Sequence, residues 1–157
     1  SLDEEFLEHV VKELEGKPAS QRFLLPGLIQ DRARLAEVYR ASDVFVFPSR
    51  NEGLPSVLLE AMATGLVPVV SDLPVFQSII QPDVNGIIVP GEDTHALAES
   101  LLRVPEDWEM RQRLGKSARE SVLDRHSFQA WQAQISRFYQ TFPARAKSIK
   151  SGYDTLT

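Results

Sequence analysis

Two short apolar runs flank one helix-forming stretch, and this arrangement limits the fold more than any other feature of the chain. Val44 to Phe47 reads Val-Phe-Val-Phe, too short for a helix and rich in β-branched and aromatic residues. Val67 to Val70 reads Val-Pro-Val-Val. Unbroken apolar runs of this length suit strands buried on both faces of a parallel sheet, because a sheet with one wet face alternates apolar and polar residues. Between them, Pro55 stands where a helix starts, since a first-turn residue has no need of its N–H. Ser56 to Thr64 is rich in helix formers, and Gly65 suits the left-handed conformation that ends a helix. Strand, loop, helix and strand make a βαβ crossover, expected to be right-handed.

Two carboxylates stand in this unit. Glu52 lies in the loop past the carboxyl end of the first strand, and Glu60 lies in the helix among Val57, Leu58, Leu59, Ala61, Met62 and Ala63. A charge on a helix apolar on nearly every side is costly unless something pairs with it. A single such Glu reads most simply as facing a polar gap or an Arg from elsewhere. Joined to Glu52, Pro55 and Gly65, it reads as part of a site. Pro55 at the first helical position leaves the N–H groups of Ser56, Val57 and Leu58 unpaired and aimed out of the helix end. Those donors and the helix dipole attract phosphate. Glu60 lies about 7–8 Å further along the axis, a spacing that fits a diphosphate and the ribose of one nucleotide. A carboxylate with two acceptor oxygens suits a cis-diol. Glu52 then faces whatever the diphosphate carries.

The run Glu52-Gly53-Leu54-Pro55-Ser56-Val57-Leu58-Leu59-Glu60, continued by Ala61-Met62-Ala63-Thr64-Gly65-Leu66-Val67-Pro68-Val69-Val70, resembles the two-glutamate motif of retaining GT-B glycosyltransferases. That family includes sucrose synthases, bacterial glycogen synthases and lipopolysaccharide or capsule transferases. The resemblance extends from about Arg22 to Phe142. It implies the donor-binding, C-terminal half of a GT-B fold, which holds a nucleotide-diphosphate sugar for transfer to an acceptor with the anomeric configuration retained. Carried over, Glu52 is the candidate catalytic residue, contacting the donor sugar and stabilising positive charge at the anomeric carbon. Glu60 binds the ribose hydroxyls, and Gly53, Leu54, Pro55, Ser56 and Val57 face the diphosphate and sugar. Gly27 and Leu28, after an expected strand at Phe23–Leu25, are candidates for touching the base, with an ordinary turn as the competing reading. Neither a metal nor a cofactor is implied, because the helix end and cationic side chains neutralise the leaving diphosphate. Two departures stand out. Where the family carries a Glu beyond the second strand, this chain offers Gln77 or Ser78. The Arg and Lys that clamp the diphosphate in the family fall before Ser1. The resemblance also implies an N-terminal acceptor domain or another chain as partner, with membrane contact only through that domain if at all.

The rest of the chain fits this frame. A length of 157 residues suits one domain, and 43% hydrophobic with 25% charged residues is ordinary for a globular protein. A net charge of -5 argues against nucleic acid as a partner. No run approaches the ~20 apolar residues of a membrane helix, and no signal peptide is visible. The default location is therefore the cytoplasm. Without Cys there is no thiolate metal site, and His9, His95 and His126 show no ligand spacing. Leu2 to Glu15 reads as an amphipathic helix, and Asp31 caps another that ends near Ala41. Pro74 opens a short helix, Asp83 to Gly86 is a turn signal, and Ile87 to Val89 is another buried strand. Asp93 caps a helix with Leu97, Leu101 and Leu102 inward, and Pro105 begins the next, which presents Trp108, Leu114, Ala118 and Val122. Ser127 caps a last helix whose stripe of Phe128, Trp131, Ile135, Phe138 and Phe142 reads as core.

The fold class expected is α/β, a Rossmann-like parallel sheet flanked by helices. Residues 1–142 form the nucleotide-sugar-binding domain and 143–157 a flexible tail. By the resemblance, Phe23–Leu25 is the third strand and Val44–Phe47 the fourth in the order 3-2-1-4-5-6. The first two strands would then come from another segment or chain, and the isolated chain is expected to be inactive. Two other readings stay open: a non-catalytic nucleotide-sugar-binding or assembly module, and another GT-B enzyme such as an epimerase or a phosphorylase. A phosphorylase needs a buried Lys for pyridoxal phosphate, whereas Lys12, Lys17, Lys116, Lys147 and Lys150 read as solvent-facing.

Overall fold

A computed structural model describes residues 26–141 of the chain. The expected helix at Leu2–Glu15, the strand at Phe23–Leu25 and the tail 143–157 lie outside the described residues. The chain divides into two compact units, Ser1–Leu35 and Ala36–Thr157. In the described part of the first, the Asp31 carboxylate accepts from the Ala33 N–H at 2.8 Å, the cap that opens α1 (Arg32–Arg40).

The second unit is built on three parallel strands, β1 (Val44–Phe47), β2 (Val67–Ser71) and β3 (Ile87–Val89), in the order β1-β2-β3. Val46 pairs with Val69 and Val70 with Ile88. Helices α2 (Ser56–Ala63), α3 (Pro74–Gln77), α4 (Thr94–Glu106), α5 (Trp108–His126) and α6 (Phe128–Gln140) follow in chain order. This is the expected α/β sheet flanked by helices. Every residue of β2 is buried, as its apolar run requires of a central strand. The strand β1 is only half-buried and Val46 is exposed. Burial on both faces was expected of both strands and holds for β2 alone. Among the described residues β1 is an edge strand, paired with β2 alone.

The two faces of β2 feed two apolar clusters. Val70 joins Leu58, Met62, Phe76 and Ile80, while Val67 and Val69 join Ile87, Val89 and Val104. This follows from the alternation of side chains along a strand. Helix α5 serves both, with Met110 and Leu114 in one and Ala118 and Val122 in the other. The end of α2 meets α5 closely. Leu66 N–H bonds Ala61 O at 3.3 Å and Gly65 N–H bonds Met62 O at 2.9 Å, the two bonds of a Schellman motif, with Gly65 at φ +88. The expected turn at Asp83–Gly86 is tied to α5 by buried Asn85. Its Oδ1 accepts from Gln81 N–H at 2.7 Å, and its Nδ2 donates to Ile79 O at 3.2 Å and Ser121 Oγ at 3.0 Å.

Several helical readings change. Pro105 lies in the last turn of α4 rather than opening α5, where the N–H it lacks costs one bond near an end that stops anyway. Helix α5 begins instead after Asp107, whose carboxylate accepts from Met110 N–H at 2.9 Å. Leu102 points outward, because the inward face of α4 runs through Ser100 and Val104, and Trp108 is exposed with the Arg111 guanidinium 5.1 Å over its ring. Phe142 of the expected stripe lies outside the described residues, and the part of the stripe on α6 is not core. That helix has no buried residue, and Phe128 and Trp131 are 68% and 55% exposed. Periodicity shows that a face is apolar, not that anything covers it. At the end of α5, the His126 imidazole is held below its ordinary pKa, first by desolvation and then by the Arg125 charge.

Candidate functional site

The three strands run parallel, so their carboxyl ends lie on one side of the sheet, the side where open α/β sheets bind ligands. The loops leaving those ends are joined there. Ser71 Oγ, at the end of β2, donates to the Ser49 carbonyl after β1. Asp72 Oδ1 accepts from the Gly91 N–H after β3 at 2.8 Å. Arg50 and Glu92, both exposed, form an ion pair at 3.4 Å.

Glu52 is half-buried in the β1–α2 loop, where the Ser49 hydroxyl donates to its Oε1 at 2.6 Å. Pro55 is buried and caps α2 from one position earlier than expected, with φ -81 and ψ 69. At those angles Ser56 N–H bonds Leu54 O at 2.9 Å, an inverse γ-turn. Leu58 N–H bonds Pro55 O at 3.0 Å. Of the three donors expected to point freely out of the helix, Ser56 and Leu58 are therefore spent within the chain. Val57 N–H has no acceptor among the described residues. The fixed φ of proline suits a γ-turn as well as a first helical turn, and the sequence does not separate the two. Gly53, Leu54, Ser56 and Val57 are exposed around this end.

Glu60 follows on the flank of α2. The helix buries Leu58, Ala61 and Met62 and leaves Glu60 half-buried. Its carboxylate is less deeply placed than the apolar residues around it implied. Of the two residues in place of the family's further Glu, Gln77 turns to the site side, donating to Asp72 O at 3.2 Å, while Ser78 bonds its own helix at Val75 O. Gly27, at φ +69, and exposed Leu28 belong to the first unit. Sequence reasoning passed over Ser49 and Ser71. The Ser-x-x-Glu spacing of Ser49 and Glu52 was the available signal, being that of a capping box. A groove of about 650 Å³ lies beside β3 and α4, lined by Asp83, Ile88, Glu99 and Arg103 among others, and takes in neither glutamate of the motif. Among the described residues no group of three or more His, Asp or Glu is gathered to hold a metal ion. No described helix is long and apolar enough to cross a membrane.

Residues 4–121 match the family model for glycosyl transferases group 1. The chain belongs to that family. It is 31% identical over 137 residues to a D-inositol 3-phosphate glycosyltransferase of Corynebacterium urealyticum, covering 87% of this chain and 31% of the relative. A phosphatidyl-myo-inositol mannosyltransferase of Mycobacterium leprae is 32% identical over 130 residues, which cover 82% of this chain and 34% of that protein. This group 1 chain thus spans about a third of the length of those curated relatives. Among solved structures it is similar to sucrose-phosphate synthase from Thermosynechococcus elongatus, with 32% identity and a TM-score of 0.74 over 87% of this chain and 33% of that one. Anabaena HepE, at 18% identity, shares the fold with a TM-score of 0.74 over 88% of this chain and 38% of that one. The fold of this group 1 chain is that of the GT-B glycosyltransferases.

Proposed function

We propose that this chain holds the donor, a nucleotide-diphosphate sugar, and that the complete protein transfers the sugar to an acceptor with retention. The observation that carries this reading is the Glu52–Glu60 unit at the carboxyl end of β1, with one carboxylate before α2 and the other on its flank. In this reading Glu60 accepts from the ribose hydroxyls. The Val57 N–H and the positive end of α2 face the diphosphate, and Gly53 to Ser56 border the phosphates and sugar. Glu52 faces the sugar, where a carboxylate stabilises the positive charge that grows on the anomeric carbon as its bond to the diphosphate breaks. Support comes from the relatives, named as glycosyl- and mannosyltransferases, and from Anabaena HepE, solved with UDP and with UDP-glucose. An acceptor domain, in the same polypeptide or another chain, completes the enzyme. Neither a metal nor a cofactor is called for, nucleic acid is not a partner, and the compartment is the cytoplasm.

Calorimetry on the complete protein tests the donor site. Glu60→Ala weakens UDP or GDP by about 1.5–3 kcal/mol, the cost of lost hydrogen bonds to a charged group. It weakens the corresponding UDP- or GDP-hexose equally, because the change falls on the nucleotide. Unchanged affinity for both removes Glu60 from the site. Retention is read separately, from the anomeric proton coupling of the product.

A further inference from the structure

Behind Glu52 stands a line of two hydroxyls. Ser71, the last residue of the fully buried strand β2, is 4% exposed, and its Oγ donates to the Ser49 carbonyl, 22 residues earlier in the chain. Ser49 then donates its own hydroxyl to Glu52 Oε1 at 2.6 Å. The two bonds run in series from the central strand, through the loop backbone, to the carboxylate. We propose that Ser49 and Ser71 are positioning residues for the transfer step, fixing the Glu52 carboxylate to the sheet. The proposal rests on the reading of Glu52 as the group that faces the donor sugar.

The physical case is one of preorganisation. A glutamate in a loop has three rotatable side-chain bonds, and a carboxylate that must still be ordered during the reaction raises the barrier. The Ser49 bond lies in the short range of hydroxyl-to-carboxylate hydrogen bonds. It occupies Oε1 and leaves Oε2, which meets no donor among the described residues, to face the substrate. Ser49 can hold the carboxylate only as firmly as its own backbone is held. Ser71 supplies that anchor, and the adjacent Asp72 fixes the end of β2 against the β3 loop through the Gly91 N–H at 2.8 Å. Neither serine touches the donor in this scheme. A loop staple with no part in the reaction would have the same two bonds, so the test must separate the two roles.

The complete protein is assayed with whichever donor of a panel of UDP- and GDP-hexoses gives the fastest release of nucleoside diphosphate. Ser49→Ala is expected to lower kcat roughly tenfold or more, by loss of a hydrogen bond to a charged group. Its KM for the donor stays within about twofold, because the loss is felt in the transition state. Ser71→Ala lowers kcat in the same direction by roughly two- to tenfold, as for a neutral bond. Ser49→Thr keeps the hydroxyl and restores most of the rate. In a Glu52→Ala background, Ser49→Ala has little further effect on kcat, because it acts through the missing carboxylate. Unfolding midpoints are measured for each variant, and if Ser71→Ala does not fold, the Ser49 series decides. Full turnover in Ser49→Ala alongside lost turnover in Glu52→Ala overturns the positioning role and leaves the Glu52 reading standing. An equal loss from Ser49→Ala with and without Glu52 also overturns it. Full turnover in Glu52→Ala overturns both.

Discussion

Gly115 has a hydrogen atom for a side chain, and the approach of α5 to α2 depends on it. A Cβ placed there would overlap the carbonyl oxygen of Gly65. The neighbour is backbone held in a helix cap, so it cannot swing aside as a flexible side chain would. Gly115→Ala is therefore expected to destabilise by about 1–3 kcal/mol, the range for overpacking a well-filled interior. Gly65 is needed for a different reason. Its φ of +88 is in the left-handed region, and Gly65→Ala is expected to cost about 1–2 kcal/mol through backbone strain. Urea unfolding of the two variants checks both. An unchanged midpoint for Gly115→Ala would show that α5 stands further from the α2 cap than described.

Among the elements, α6 and α2 show how far an apolar pattern can be from a buried one. Helix α6 carries an aromatic stripe at helical spacing, with the rings of Phe128 and Trp131 5.8 Å apart on its surface. Nothing among the described residues buries them. Trp131→Ser should accordingly change stability by no more than about 0.5 kcal/mol. Phe76→Ala, from the centre of the core, should cost about 3–5 kcal/mol. Thermal or urea unfolding of the pair decides. A Trp131→Ser loss in the core range would mean that the face is covered. Helix α2 makes the reverse point. Its residues are apolar on nearly every side, yet it buries one side and leaves Val57 exposed near its start and Glu60 on the flank. That partial burial is what gives Glu60 access to a ligand in the proposed reading.

At the scale of the whole molecule, the described sheet ends at β1, which has no strand on its other side among the described residues. An open edge is a row of unpaired N–H and C=O groups that templates association. We expect the 157-residue chain by itself to self-associate rather than behave as a monomer. Size exclusion with light scattering, joined to thermal unfolding, tests this. A monomer with one sharp unfolding transition would show that the edge is satisfied within the chain.

The sequence by itself determined three of the strands, several of the helix caps and the motif. Val44–Phe47 and Ile87–Val89 were legible to the residue, because an unbroken apolar run of that length is too short for a helix. Asp31, Asp93 and Ser127 announced helix starts and Gly65 a helix end, since capping is chemistry between residues a few positions apart. The spacing of Glu52 and Glu60 is itself a sequence pattern, and it pointed to the family to which the chain belongs. Only the tertiary structure decided that Pro55 precedes α2 in a γ-turn, that Leu102 and the α6 stripe face outward, and that Glu60 sits half-buried. Only the tertiary structure joined Ser71 to Ser49 behind Glu52. Local pattern states what a segment is able to bury or to bond. Which elements arrive to cover a face or accept a hydroxyl depends on the path of the whole chain, and residues 22 apart meet there only because β1 and β2 lie side by side in register.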